Sequence, residues 1–249
     1  MSITFGSDCS GIEAAYIAVK NIYSGEVIHK FSSDNNVHVR NMIKANFDPE
    51  IIYNDVFNRP IDDMPEVDIY MSSPPCQSFS SLGLGHGFRD TRGTVFLETL
   101  KYIKTKRPKT FIIENVMKFR SHDKGRTFRT VMDILNNLGI YHIDSSILTP
   151  HRHANHPQMR HRLFIVGIRK DVLTGEFRFP DEETLSKKAS ELLNHHADQE
   201  SYVAKFESEF LKQHEANHEK RLDEDYYFID LGASVRFAKP KLEVVPCLT

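Results

Sequence analysis

Three short segments of this chain carry residues suited to covalent chemistry. The first is Pro74-Pro75-Cys76-Gln77-Ser78-Phe79-Ser80, where two prolines stiffen a turn and present a thiol. A lone cysteine is most often a small buried hydrophobe. Here the rigid turn directly follows an apolar run at residues 67–71, and that setting suits a nucleophile. The second segment is Glu114-Asn115-Val116, at the end of another apolar run. A carboxyl group at that depth is costly to bury alone, so it needs a partner or a task. The third is Gln158-Met159-Arg160-His161-Arg162, which opens a further apolar run. Its spacing of two predicts that Arg160 and Arg162 project to one face of a strand, a solvated strand edge being the plainer alternative. A thiol, a carboxyl and a guanidinium brought together suit chemistry on a polar heterocycle.

Three features nearer the start of the chain describe a binding site. Ser7-Asp8-Cys9-Ser10-Gly11-Ile12-Glu13 is a small-residue turn that lets a ligand approach the backbone. It lacks the G-x-G-x-x-G pattern of a dinucleotide site, which disfavours NAD and FAD. Asp34 follows a second apolar run, where an acid can accept from both ribose hydroxyls. Asp55, in Asn54-Asp55-Val56, follows a third and can accept from an adenine amine beside an apolar contact. Each acid taken singly reads as a helix cap. At successive strand ends, the three features describe an adenosine site without phosphates.

The elements that must position these residues alternate. Strands are predicted at 3–5, 27–31, 51–53, 67–71, 110–113, 140–148 and 163–168. Helices are predicted at 11–23, with Ile12, Ala15, Tyr16 and Val19 on one face, and at 37–45, 94–105 and 127–138. Gly139 stands as a C-terminal cap of the last. Such alternation implies an α/β, doubly wound fold with a mostly parallel sheet, whose ligands sit at the carboxyl ends of the strands. Residues 1–172 read as the catalytic domain and residues 173–249 as an acidic, partly helical extension with too few apolar residues for a core of its own. Gly83, Gly85 and Gly87 make the loop after Cys76 a candidate lid.

Composition bounds the rest. Forty percent of residues are hydrophobic and 27% charged, with no run near the ~20 apolar residues of a membrane span. The start carries no secretory signal pattern. Three cysteines, Cys9, Cys76 and Cys247, form no disulfide framework, so reduced thiols in the cytoplasm are expected. The net charge of -2 conceals an asymmetry: residues 101–130 carry ten Lys/Arg against two acids, residues 151–170 carry five against none, and residues 171–230 carry sixteen acids against seven Lys/Arg. From charge alone a solvated surface is the plainer reading and a phosphate-binding face the alternative. His151, His153, His156 and His161 crowd one segment, but no Cys/His spacing fits a zinc module, and no metal is expected.

With Pro74-Pro75-Cys76-Gln77, Glu114-Asn115-Val116 and Gln158-x-Arg160-x-Arg162 in this order, residues 3–170 resemble the C5-cytosine DNA methyltransferases. Asp90-Thr91-Arg92-Gly93-Thr94 is similar to the family's segment between the first two signatures. The resemblance implies a Rossmann-like fold using S-adenosyl-L-methionine and acting on a cytosine flipped out of double-stranded DNA. Cys76 would attack C6, Glu114 would bond to N3 and the exocyclic amine, Arg162 would hold O2, and Arg160 would support Cys76. Cys9, Ser10, Gly11 and Ile12 would meet the cofactor from the first turn. Asp34 with Asn35, Asp55 with Val56, and Pro74 would complete its site. A tRNA cytosine-5 methyltransferase and an inactive regulatory or DNA-binding homologue are the alternatives.

The sequence departs from the family in two places. The family's first motif reads Asp-x-Phe-x-Gly-x-Gly-Gly. With Gly11 aligned, Ser7 stands for the acid, Cys9 for the aromatic, and Glu13-Ala14 for the paired glycines. Ahead of Gln158, Ala154-Asn155-His156-Pro157 replaces Tyr-Gly-x-Pro, and asparagine tolerates the positive φ such a turn needs. Residues 236–249 look like the opening of the family's late segment. A second chain carrying target recognition and the final motif is therefore expected, in a prokaryotic or viral modification system, with a truncated, weak or inactive form as the alternative. The basic stretches contain Glu114 and Arg162, which predicts a basic surface near the pocket. The acidic stretch is the candidate for meeting a partner.

Overall fold

A computed structural model describes residues 1–75, 94–188, 191 and 245–246. Cys76, the glycine-rich loop after it, Cys247 and most of the acidic extension lie outside the described residues. The chain divides into two compact units, Met1–Ile147 with Arg162–Arg178, and Leu148–His161 with Phe179–Thr249.

The first unit is built on strands β1 (Ser2–Asp8), β2 (Glu26–Ser33), β3 (Ile51–Tyr53), β4 (Ile69–Ser72), β5 (Thr110–Val116) and β6 (Tyr141–Leu148). Helices α1 (Ala14–Ile22), α2 (Val37–Asn46), α3 (Thr94–Lys106) and α4 (Arg126–Asn136) connect them, and a last sheet strand, β8 (Arg162–Arg169), follows a short strand β7 (Gln158–Met159). The sheet order is β3-β2-β1-β4-β5-β8-β6. Pairings β1–β2, β2–β3, β1–β4 and β4–β5 are parallel, while β5–β8 is antiparallel. The fold is therefore the expected mostly parallel α/β sheet. Chain direction outward from the centre reverses between β1 and β4, the switch point where such sheets open a ligand crevice.

The core explains the packing. Phe31, Tyr70, Tyr102, Phe96, Phe111 and Phe119 are fully buried aromatic side chains of one cluster. Rings this large need room on the neighbouring strands. A Cβ on Gly6 would lie 2.2 Å from the Phe31 ring, so only glycine lets β1 run beneath it.

Two local expectations change. The first helix begins at Ala14 and not at Gly11, because Cys9, Gly11 and Glu13 all take positive φ (51°, 53° and 56°) and extend the turn. Ile12 consequently lies outside the helix and is 69% exposed, while Ala15, Tyr16 and Val19 do face the protein. Arg160 and His161 fall between β7 and β8 rather than within one strand, so alternation cannot carry from Arg160 to Arg162. The expected positive φ at Asn155 (41°) and at Gly139 (74°) is present.

At the amino edge of the sheet, Asp68 ties three strands together. It accepts from the Thr4 amide (2.7 Å) and hydroxyl (2.9 Å), pairs with Lys109 (2.7 Å), and its carbonyl accepts from the Thr110 amide. Burial pushes the Asp68 carboxyl up, but the hydrogen bonds from Lys109 and Thr4 outweigh it and hold the pKa below the usual carboxylate value. A depressed folded pKa adds stability above the unfolded pKa of about 4, and that stability is lost as pH falls through the folded value. Asp68→Asn should therefore lower the urea midpoint at pH 7 and narrow its gap to the parent at pH 3; an equal gap at both values would exclude this role.

In the second unit, β7 pairs in parallel with β9 (Val245–Pro246), Gln158 opposite Val245. A short helix, α5 (Pro150–His153), precedes β7. Asn155 fastens the turn between them by accepting from the Ser186 amide (2.8 Å).

Candidate active site

A cavity of about 280 Å³ opens at the carboxyl ends of β1 to β4, near the lower end of the ~300–1,000 Å³ usual for small-molecule sites. Cys9 lines it after β1, Ser33, Asp34 and Asn35 at the end of β2, and Asp55 and Val56 after β3. Phe57, Ser73, Pro75 and Val95 complete the wall. Of the residues expected to hold a cofactor, Cys9, Asp34, Asn35, Asp55 and Val56 thus share one cavity. Ser10, Gly11, Ile12 and Pro74 are not in its wall.

The acids are held in place by the backbone. Asp34 accepts from the Gly11 amide through one oxygen (3.1 Å) and from the Asn36 amide through the other (2.9 Å). Asp55 accepts from the Phe57 amide (3.0 Å) and so caps the turn Val56–Asn58. The cap and binding readings are compatible: each carboxylate oxygen that caps still has a lone pair to offer. Ser33 adds a buried hydroxyl with no hydrogen-bond partner among the described residues. Polar acceptors together with the apolar side chains of Val56, Phe57 and Val95 suit a nucleoside, with the two acids available to a ribose and an amino-purine edge. Phe57, 44% exposed, supplies an aromatic wall where Cys9 replaces the family's aromatic residue.

Cys9 is not a rival nucleophile. Burial, aided by Asp8 and Asp34, pushes its thiol up to about 12, far from the thiolate range.

At the carboxyl end of β5, Glu114 and Arg162 form an ion pair, Arg162 Nε donating to Glu114 Oε1 at 2.9 Å, with side chains 20% and 18% exposed. Antiparallel pairing produces this contact. Arg162 sits opposite Val116, which shares a face with Glu114, so the two side chains are diagonal neighbours. Asn115 Nδ2 donates to the Pro74 carbonyl (2.9 Å), fastening the Pro74-Pro75 turn, from which the chain runs into Cys76, to the end of β5. Reading the sequence missed this clamp, although Asn115 lay inside a motif it had singled out. It also missed Ser33, Phe57, Ser73 and Val95, which adjoin singled-out residues in sequence or come from α3. Cys76 itself lies outside the described residues. Arg160 belongs to the second unit, and its amide donates to the Gln158 carbonyl (3.2 Å).

The basic stretch 101–130 divides between two edges. Lys101 lies midway along α3, Lys104, Lys106, Arg107 and Lys109 lie toward the amino end of β5, and Lys118, Arg120, Lys124, Arg126 and Arg129 follow its carboxyl end. Only the second group flanks Glu114. No group of three or more His, Cys, Asp or Glu side chains among the described residues could hold a metal, and no helix among them is long and apolar enough to cross a membrane.

A doubly wound sheet with a nucleoside-type cavity at its switch point, a glutamate–arginine pair at the carboxyl end of β5 and a Pro74-Pro75 turn fastened to that strand is the build of a methyltransferase of the cytosine-5 type. The chain belongs to the C-5 cytosine-specific DNA methylase family, whose model matches residues 3–238 and so extends beyond the motif-bearing part. It is 39% identical over 184 residues to the type II methyltransferase M.NgoBI of Neisseria gonorrhoeae, covering 74% of this chain and 55% of that protein. It is 38% identical over 168 residues to the orphan methyltransferase M.SPRI of Bacillus phage SPR, covering 67% and 38%. The chain thus spans about half or less of these curated relatives. Among solved structures, the Dnmt2 methyltransferase of S. pombe shares the fold with a TM-score of 0.65 at 21% identity, over 81% of this chain and 63% of that one.

Proposed function

We propose that this chain is the catalytic part of a DNA cytosine-5 methyltransferase that uses S-adenosyl-L-methionine and Cys76. The observation that carries the reading is the Glu114–Arg162 pair, 2.9 Å apart at the ligand edge, beside a nucleoside-type cavity. These two groups match the face of a cytosine: the carboxyl group meets N3 and the exocyclic amine, the guanidinium meets O2. Together they hold the ring and stabilise the charge that develops on it as Cys76 sulfur bonds to C6 and the C5–C6 π pair moves to C5. S-adenosyl-L-methionine, when bound, supplies the sulfonium methyl group that C5 takes up. Loss of the C5 proton and departure of the Cys76 thiolate then restore the double bond and the enzyme. Arg160 supports Cys76 and its loop. Asp34 and Asp55 hold the adenosine of the cofactor, and the cavity's donors and acceptors fit that group.

Double-stranded DNA is the substrate, with the Lys118 to Arg129 cluster serving its phosphates. The system is prokaryotic or viral and works in the cytoplasm. Residues 1–172 act as the catalytic domain and residues 173–249 as an extension. A second chain supplies target recognition; its support is α1, which buries no residue and leaves Ile17 and Ile22 42% and 85% exposed.

The test is transfer of tritiated methyl from S-adenosyl-L-methionine by the 249-residue chain to unmethylated genomic duplex and, separately, to unmodified tRNA. Label at C5 of cytosine in the duplex is expected. Label in tRNA alone would give the tRNA reading, and cofactor binding with neither transfer nor a covalent adduct on a 5-fluorocytosine duplex would favour the inactive one. Full activity of the chain by itself would exclude the need for a second.

A further inference from the structure

Of the four positions at which the first turn departs from its family's pattern, two meet in the fold. Ser7 stands where the family has an acid, and Glu13 where it has a glycine. Glu13 is 1% exposed and takes φ 56°, the left-handed region that glycine prefers. Its side chain turns back under the loop, and Oε1 accepts from Ser7 Oγ (2.7 Å) and from Ser32 Oγ (2.6 Å). His29 Nε2 lies 3.6 Å from the same oxygen and 3.0 Å from the Ser32 hydroxyl. Glu13 Oε2 has no hydrogen-bond partner among the described residues. Ser7, Ser32 and His29 are each at most 4% exposed.

We infer that Glu13 is the positioning residue of the cofactor turn, returning to position 7 from the opposite end of the loop the carboxylate that Ser7 lacks. The linkage to the cavity is continuous. Ser7 Oγ is 2.7 Å from Ser10 Oγ; Ser10 Oγ accepts from the Ser33 amide (3.0 Å), and the Ser10 amide donates to the Ser33 carbonyl (3.0 Å). Ser33 and Cys9 are both cavity wall, and the Gly11 amide orients Asp34. One buried carboxylate thus pins a turn with three residues at positive φ and sets the spacing of the β1 and β2 sides of the cavity. A carboxylate in that place costs too much to be incidental, since it is removed from water and leaves one oxygen unpaired.

This rests on the cofactor assignment above, and the experiment separates the two. S-adenosyl-L-methionine binding is measured by calorimetry on the full chain for the parent, Glu13→Gly, Ser7→Asp and the double variant Ser7→Asp/Glu13→Gly, with melting temperature recorded without ligand. Glu13→Gly suits the backbone but removes the acid, and its affinity should fall about tenfold or more. Ser7→Asp sets two buried carboxylates together and should fall further. The double variant restores the family arrangement and should return to within about threefold of the parent, a non-additive rescue. Parent-like binding by Glu13→Gly, or a folded double variant that binds no better than Glu13→Gly, would overturn the inference alone. A parent that binds no S-adenosyl-L-methionine would overturn the cofactor assignment and this inference with it. Should Glu13→Gly fail to fold, the double variant decides: fold and binding both regained support the role, and fold without binding excludes it.

Discussion

Cys76→Ala is expected to abolish methyl transfer, by on the order of 10⁴-fold or more, while leaving S-adenosyl-L-methionine affinity within about twofold of the parent. The asymmetry follows from the arrangement. Asp34, Asp55 and Phe57 line the cavity proposed for the cofactor, whereas the role proposed for Cys76 is attack on C6 and not cofactor binding. The reaction does depend on it, because C5 of cytosine becomes nucleophilic enough only when a sulfur has bonded to C6. Cys9 cannot substitute, since its buried thiol stays protonated. A duplex containing 5-fluorocytosine, incubated with chain and cofactor, gives a second readout. Fluorine at C5 cannot leave as the proton does, so the parent should form an adduct that survives denaturing electrophoresis and the variant none. Residual transfer above a hundredth of the parent rate, or an adduct in Cys76→Ala, would remove Cys76 from the role of nucleophile.

The second large effect concerns stability. Asp8 and Arg59, both with side chains wholly shielded from solvent, form an ion pair, and the Tyr70 hydroxyl donates to the second Asp8 oxygen. Burial opposes the charge on Arg59, yet the Asp8 carboxylate and the Tyr70 phenol more than offset it and hold the guanidinium charged. Arg59 Nε and Nη2 have no hydrogen-bond partner among the described residues, so the pair is imperfectly satisfied. Removing either partner strands a buried charge, at a cost of about 3–5 kcal/mol. For a domain of this size that lowers the melting temperature by roughly 6–20 °C. Asp8→Asn and Arg59→Met should each show such a loss. Asp8→Asn/Arg59→Met should recover most of it, because neither charge remains to be stranded. Additive losses in the double variant would show instead that each residue acts through packing. Asp8 ends β1 beside Cys9, and Arg59 follows Phe57, so each single loss should also weaken cofactor binding.

Much of the fold was legible because the strands are short apolar runs separated by helical periodicity. The range of β3 matched residue for residue, and α2, α3 and β6 matched to within a residue at each end. The start of α1 was not legible. Nothing in Gly11-Ile12-Glu13 announces a left-handed glutamate, a conformation sustained only by partners at Ser7 and Ser32. Asp34 and Asp55 were found because acids after successive apolar runs stand out locally. Phe57 and Val95 were not, since a cavity wall drawn from the ends of four strands and a helix leaves no local pattern.

The sequence by itself determined the residue types of the site: a thiol on a Pro-Pro turn, a carboxyl in Glu-Asn-Val, arginines two apart, and acids after the second and third strands. These are local facts, set by spacing and by what each side chain can donate, accept or attack. Tertiary structure decided which of them meet. Glu114 and Arg162 pair because β8 runs antiparallel to β5; a parallel β8 would have carried Arg162 to the opposite edge of the sheet. The basic stretch divides for a simpler reason, since β5 lies between Lys109 and Lys118 and sends them to opposite edges. Strand direction depends on pairing between segments far apart in the chain, and side-chain spacing along a single segment does not encode it.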